Sequence, residues 1–207
     1  MVKGNLIIIS SPSGGGKGTL IREVLEHIPE VGYSVSLTTR PPRFGEENGK
    51  HYHFVTRERF EEAIQRNEFL EYAEVHGNLY GTSMVQIEKM TSTGVDVILE
   101  IDVQGAAKVR AKVNDVTSIF ILPPSFEVLK ARLTARATER SDDLELRLRN
   151  SIDEVRQYKD FDYLVVNDDL AAASRKLGAI ILAERQRRDR QNEVVQGILS
   201  SFERLKL

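Results

Sequence analysis

Residues 5–29 constrain the chain more than any other stretch. Leu6, Ile7, Ile8 and Ile9 form a short continuous apolar run, the pattern of a strand buried on both faces. SPSGGGKGT (11–19) follows. Then comes TLIREVLEHIPE, in which Leu20, Ile21, Val24, Leu25 and Ile28 fall on one helical stripe that Pro29 ends. A glycine-rich turn between a buried strand and a helix start is the setting of a phosphate-binding loop. Gly14, Gly15 and Gly16 free the backbone to curl until its N–H groups converge on an anion. The helix dipole points its positive end the same way, and Lys17 adds a full charge. The match to G-x-x-x-x-G-K-[ST] is partial: Gly16 and Lys17 are in place, Ser11 stands for the first glycine, and Gly18 stands where a magnesium-holding hydroxyl is common. Thr19 comes one residue later, rotated by about 100° around the helix, and so points elsewhere.

The remaining chain alternates strand and helix signals. GVDVILEID (94–102), TSIFILPP (117–124) and DYLVVND (162–168) predict further buried strands. QGAAKVRAKV (104–113) predicts a short helix, and a helical stretch is expected from about Leu170 onward. Alternation of this kind implies a parallel sheet covered on both faces. Two segments interrupt it. Residues 33–93 hold alternating runs and tight turns at Asn48-Gly49 and Gly77-Asn78, the pattern of a small mixed lobe inserted into the core. Residues 125–159 are highly charged, helical and rich in arginine, with Ser125 and Ser141 as expected helix caps. The basic run RQRRDR (185–190) is expected to be a solvated face of the C-terminal helix.

Composition narrows the class. At 207 residues and 41% apolar content, the chain can bury a full core with inserted lobes. It has no cysteine, which excludes disulfides and thiolate metal sites. A net charge of −2 gives no bias toward nucleic acid or an anionic membrane. The four-residue apolar run near the N-terminus is too short for a signal-peptide core or a membrane span, so a cytoplasmic protein is expected.

Within the inserted lobe, Arg40 and Arg43 flank Pro41-Pro42. The prolines stiffen the segment, and two guanidinium groups on a rigid support suit a phosphate monoester, with Tyr52 and Tyr80 as phenolic donors. The competing reading pairs these arginines with Glu46 and Glu47 on an ordinary surface.

Six segments taken together resemble the guanylate kinases: SxSGGGKGT, TTRPPRxGExNGxxYxF, FLExAxxxGNxYGT, DVxLxIDxQGA, FILPPS and VVNDD, in that order. The resemblance runs from about Leu6 to Glu184. It implies an α/β fold of the P-loop nucleoside-monophosphate kinase type: a parallel sheet core flanked by helices (1–32, 94–124 and 160–207), an inserted mixed α/β GMP-binding lobe (33–93) and a helical lid (125–159). The reaction implied is transfer of a phosphoryl group from ATP to GMP or dGMP, with magnesium accompanying ATP. By matching positions, Ser11, Pro12, Ser13, Gly14, Gly15, Gly16, Lys17, Gly18 and Thr19 would bind ATP. Arg40, Arg43, Tyr52 and Tyr80 would hold the GMP phosphate, with Glu46 beside them, and Ser36, Glu71, Thr82 and Asp102 the guanine. Lys17, Arg132, Arg136 and Arg147 would surround the transferring group. No direct metal ligand is assigned, beyond Asp102 or Glu100 as candidates.

The chemistry supports this independently. Guanine presents N1–H and its 2-amino group side by side, and a carboxylate such as Glu71 accepts both, whereas adenine turns an acceptor toward it. Phosphoryl transfer between two anions needs alignment and positive charge more than covalent help. Two other readings remain: a kinase of this fold acting on a different phosphorylated acceptor, and a non-enzymatic guanylate-kinase-like binding module. Expected partners are ATP and GMP, with no nucleic acid and no membrane; a homo-oligomer is left open. Leu79, Glu100 and the alanines of TARAT (134–138) depart from the family's common residues.

Overall fold

The computed structural model describes residues 3–75, 77–135 and 141–203. Strand β1 (Leu6–Ser10) is buried along its whole length, with neighbours on both sides. It ends in the glycine turn, and helix α1 (Lys17–His27) starts at once. The N-cap of α1 is Gly16, at φ 88°, a left-handed conformation that glycine adopts without penalty, and no side chain caps this helix. The first N–H groups of α1 are thus left for an outside anion, and the helix begins three residues before the first residue of its apolar stripe, Leu20.

The chain then runs through β2 (Val31–Tyr33), β3 (Leu37–Thr38), β4 (His53–Phe54), α2 (Arg57–Gln65), β5 (Phe69–Val75), β6 (Asn78–Ser83) and α3 (Met84–Ser92). Thr56 caps α2 by accepting from Arg59 N–H, and Ser83 caps α3 by accepting from Gln86 N–H. Next come β7 (Asp96–Glu100), α4 (Val103–Lys112), β8 (Thr117–Leu122), α5 (Phe126–Ala135), α6 (Ser141–Arg156), β9 (Tyr163–Val166), α7 (Leu170–Arg185) and α8 (Asn192–Glu203).

Two sheets result. The first is parallel, in the order β2-β7-β1-β8-β9. From β1 the chain fills one side (β2, β7) and then the other (β8, β9), so the order reverses beside β1. In open α/β sheets ligands bind at the carboxyl ends of the strands, at such a switch point. The pleat of β1 sends Ile7 and Ile9 into a core with Leu20, Ile21 and Val24 of α1 and Leu177 and Ile181 of α7. Leu6 and Ile8 face the other core, with Ile87 of α3, Val109 of α4 and Leu70 of β5. Covering both faces explains why the central strands β1, β7 and β8 are continuously apolar rather than alternating.

The second sheet has the order β4-β3-β6-β5 and packs on α2 through Phe60, Ala63, Phe69 and Leu79. It is tied to the first by α4, whose Lys108 and Lys112 donate to the carbonyls of Tyr72 and Leu70 on edge strand β5, at 3.0 and 2.6 Å.

Two expectations change. Tyr33 belongs to the parallel sheet, as the last residue of β2, rather than to the inserted segment. RQRRDR is not a helix face: α7 ends at Arg185, and a 3-10 turn at Arg188–Arg190 separates it from α8. Its charges are paired: Arg185 with Asp96 at 2.7 Å, Arg187 with Glu184 at 3.4 Å, Arg188 with Asp189 at 3.0 Å and Arg190 with Asp115 at 2.9 Å.

Candidate active site

Every residue from Ser11 to Thr19 lines one cleft of about 840 Å³ at the carboxyl end of the parallel sheet. Three residues from distant parts of the chain shape the loop that forms its floor. Asn167, just past β9, donates from Nδ2 to the Gly15 carbonyl at 3.0 Å. Arg132 of α5 donates to the Asn167 carbonyl at 2.9 Å and to the Gly15 carbonyl at 3.5 Å. Glu154 of α6 accepts the Ser13 N–H at 3.0 Å. A Cβ built on Gly16 would lie 2.3 Å from Asn167 Nδ2, so the close approach of Asn167 requires glycine there as much as the φ does.

Lys17 lies 3.5 Å from Glu100 Oε1, at the end of β7. Tyr33 donates its hydroxyl to the other Glu100 oxygen at 3.1 Å; burial, then the Glu100 charge, pushes that phenol far above its ordinary range. Gly18 faces the same carboxylate: a Cβ built on it would sit 3.5 Å from Glu100 Oε1. A carboxylate from β7 thus lies next to the position where a loop hydroxyl is common. Asp102 also lines the cleft, and it caps α4 by accepting the Gly105 N–H at 2.7 Å.

The second sheet carries two clusters. On β5 and β6, Glu71 and Thr82 are register partners, and Thr82 donates its hydroxyl to Glu71 Oε1 at 2.6 Å. Both are buried, at 7% and 1% exposure. Burial pushes the Glu71 carboxyl above the usual carboxylate range; the Thr82 hydrogen bond and Lys108 and Lys112 pull it back, while Asp102 adds to the rise. Gly105 lies beside this carboxylate, and a Cβ there would be in ordinary contact with Glu71 Oε2 at 3.5 Å. Ser36 lies half-buried between β2 and β3, its carbonyl accepting the His53 N–H at 2.9 Å.

The other cluster is Arg40, Tyr52 and Tyr80. The Tyr52 and Tyr80 rings stand edge to face with centroids 5.8 Å apart, and the Arg40 guanidinium lies 5.4 Å from the Tyr52 ring. Arg40 forks Glu46 through two hydrogen bonds of 2.9 Å, and the Arg43 N–H donates to Glu46 at 2.7 Å. These bonds, that from Arg40 first, hold the Glu46 carboxyl down to about 2. The ion pair with Glu46 foreseen as the ordinary surface reading is thus present, while the Arg43 side chain stays exposed. Tyr80 and Thr82 are two residues apart on β6 and share a face, which sets the two clusters about 7 Å apart along one strand.

Among the four residues expected around the transferring group, Lys17 and Arg132 meet at the loop, and Arg147 is exposed on α6. Arg136 lies outside the described residues. Tyr33, Asn167 and Glu154 were not singled out from sequence. Asn167 stands inside the VVNDD segment, which was its one signal.

The glycine loop with Lys17 and, beside Asp102, the buried carboxylate of Glu71 with the Thr82 hydroxyl are the two polar groupings of this region. The family model described as guanylate kinase matches residues 3–184. The chain belongs to the guanylate kinase family. A guanylate kinase of Neisseria meningitidis serogroup A is 50% identical over 199 residues, which cover 96% of this chain and 97% of that protein. One from Clostridium perfringens is 48% identical over 191 residues, covering 92% and 88%. The crystal structure of guanylate kinase from Anaplasma phagocytophilum matches with a TM-score of 0.75 and 34% identity, over 92% of this chain and 90% of that one. The guanylate kinase fold thus accounts for the parallel sheet core flanked by helices. Among the described residues no helix is long and apolar enough to cross a membrane.

Proposed function

We infer that this chain transfers the terminal phosphoryl group of ATP to GMP or dGMP, giving ADP and GDP. The observation that carries the choice of acceptor is the buried Glu71–Thr82 pair, joined at 2.6 Å and set beside Asp102 at the edge of the phosphate-loop cleft. Glu71 would accept N1–H and the 2-amino group of guanine, with Thr82 and Ser36 near O6. Arg40, Arg43, Tyr52 and Tyr80 would take the GMP phosphate, with Glu46 holding Arg40 in place before it arrives. In this reading residues 33–93 form the GMP lobe, residues 125–159 the lid and the rest the ATP-holding core.

The loop from Ser11 to Thr19 would cradle the ATP phosphates. Lys17 and Arg132 would face the charge that spreads over the oxygens of the transferring group, joined by Arg136 and Arg147 from the lid. Alignment of the two bound nucleotides, together with this fixed positive charge and exclusion of water, is what the protein contributes. Magnesium arriving with ATP fits the donors present. Among the described residues no group of three His, Cys, Asp or Glu is poised to hold a metal ion. Magnesium is commonly held by one or two carboxylates plus substrate phosphates, and Glu100 and Asp102 line this cleft. When bound, it neutralises phosphate oxygens. The same reading puts the enzyme in the cytoplasm, where a cysteine-free chain loses nothing to the reducing conditions.

A panel of nucleoside monophosphates in a coupled ADP-release assay tests this. GMP and dGMP are expected to be good acceptors. Inosine monophosphate, lacking the 2-amino group, falls between, and AMP, CMP and UMP are worse by roughly 10⁴-fold, the discrimination a site gains from buried groups left unpaired. Equal kcat/KM for AMP and GMP overturns the base assignment. Absence of turnover with every acceptor favours a binding module.

A further inference from the structure

The loop's invitation to an anion is already answered within the chain. Glu154 Oε2 accepts the Ser13 N–H at 3.0 Å, across 141 residues of sequence. Ser13 is not in a helix, so this is no helix cap. Glu154 lines the same cleft as Lys17 and the glycines. The groups facing it are the Ser13 N–H and the Lys17 ammonium, which favour its charge, and Asp102, which opposes it. Burial also works against the charge and raises the carboxyl above its usual range. A half-buried carboxylate held by one loop N–H, in a cleft shaped for phosphate and beside a second carboxylate, is a replaceable occupant rather than a fixed strut.

We propose that Glu154 is a built-in stand-in for a nucleotide phosphate, a positioning residue that occupies the loop while ATP is absent and must leave the Ser13 N–H when ATP enters. Two anions cannot share this N–H at close range, so ATP and Glu154 compete. Arg147 shares its helix and lies seven residues back, about two turns and therefore on nearly the same face. Displacing Glu154 thus shifts the helix that carries a lid arginine, and coupling of ATP entry to lid position follows. The proposal rests on the ATP-dependent phosphotransferase reading above.

The test is calorimetric binding of ATP, ADP and inorganic tripolyphosphate to the full chain, unaltered and as Glu154→Gln and Glu154→Ala, with GMP binding and thermal melting alongside. Glutamine keeps an acceptor for the Ser13 N–H but removes the charge. Both variants are expected to bind ATP and tripolyphosphate at least about tenfold more tightly, since forcing like charges together across a site costs more than a factor of ten in affinity. GMP affinity should stay within twofold. Unchanged or weaker ATP binding by a folded Glu154→Gln overturns the proposal, because Glu154 would then support the loop or the ligand. Tighter ATP binding only in Glu154→Ala also overturns it, because side-chain bulk rather than charge would be responsible. Failure of the kinase reading looks different: no ADP is released with GMP by the unaltered enzyme, whatever the ratio between variants.

Discussion

Lys17 and Glu71 are charged residues that do different things with burial. Lys17 reaches along the loop to Glu100 at 3.5 Å, and its side chain remains 19% exposed. No core packing depends on it. Lys17→Ala should therefore leave the melting temperature close to that of the parent while kcat/KM falls by roughly 10²- to 10³-fold, as when one fixed transition-state donor is removed. Near-normal turnover in the folded mutant would remove the loop from the mechanism. Glu71 is different because its environment already disfavours its charge. Its folded pKa lies above the unfolded value, so ionising it costs stability: the free protein gains from a protonated Glu71 at low pH and loses that gain as pH rises through the folded value. GMP bound as proposed would reverse the balance, since two N–H donors favour the carboxylate. Proton and GMP therefore compete, and GMP should bind more weakly as pH falls through a range above the ordinary carboxylate value. Glu71→Gln should bind GMP poorly and without that component. The difference between the two pH profiles of GMP Kd cancels the titration of the GMP phosphate itself. Parallel profiles would mean that Glu71 does not read the base.

Elements, rather than residues, explain how much was legible in the sequence. Strands β1, β7 and β8 stand out because covering both faces leaves continuous apolar runs, and β9 reads the same way although Leu164 and Val166 are exposed on this edge strand. Strand β2 does not, because VGY is three half-buried residues on a sheet edge. Strands β3 and β4 have two residues each and exist through their neighbours alone. The loop was visible through its flanks, whereas Glu71 and Thr82 were picked out only through the resemblance of FLExAxxxGNxYGT to the guanylate kinases, and their contact with each other was not. Glu154 and Asn167 were not, because their contacts with the loop span 141 and 152 residues. Helix α4 is the element that binds these parts into one site. Its cap Asp102 and its Gly105 sit beside Glu71, and its Lys108 and Lys112 grip the carbonyls on either side of Glu71. Lys112→Met keeps most of the apolar stem and removes the donor. A bond from a charged donor is worth roughly 1.5–3 kcal/mol, so the KM for GMP should rise about tenfold or more while that for ATP stays unchanged. An equal rise for both nucleotides would mean that α4 supports the whole fold rather than the second sheet in particular.

At the scale of the whole molecule, the accessible surface is 12803 Å². A compact monomer of 23.4 kDa should expose roughly 9,700 Å². Part of the excess belongs to α8, where Val194, Val195, Ile198, Leu199 and Phe202 are all exposed. Another part belongs to the cleft and to the segment around Phe44, which is fully exposed beside Arg43. The cations that the proposed function assigns to phosphates are paired with carboxylates: Arg40 with Glu46, and Lys17 with Glu100. Two anionic nucleotides would replace these internal partners and draw the second sheet toward the loop, while helices α5 and α6, already bonded to it, readjust. Closure also removes water, the competing phosphoryl acceptor. Small-angle scattering should therefore show the free chain more extended than the roughly 17 Å radius of gyration of a compact 207-residue domain. It should contract toward that value with GMP and a non-hydrolysable ATP analogue bound together. Either nucleotide alone neutralises one side only and should give a partial contraction. A radius unchanged by both ligands would mean that the sites are already in register and that the excess surface has another cause.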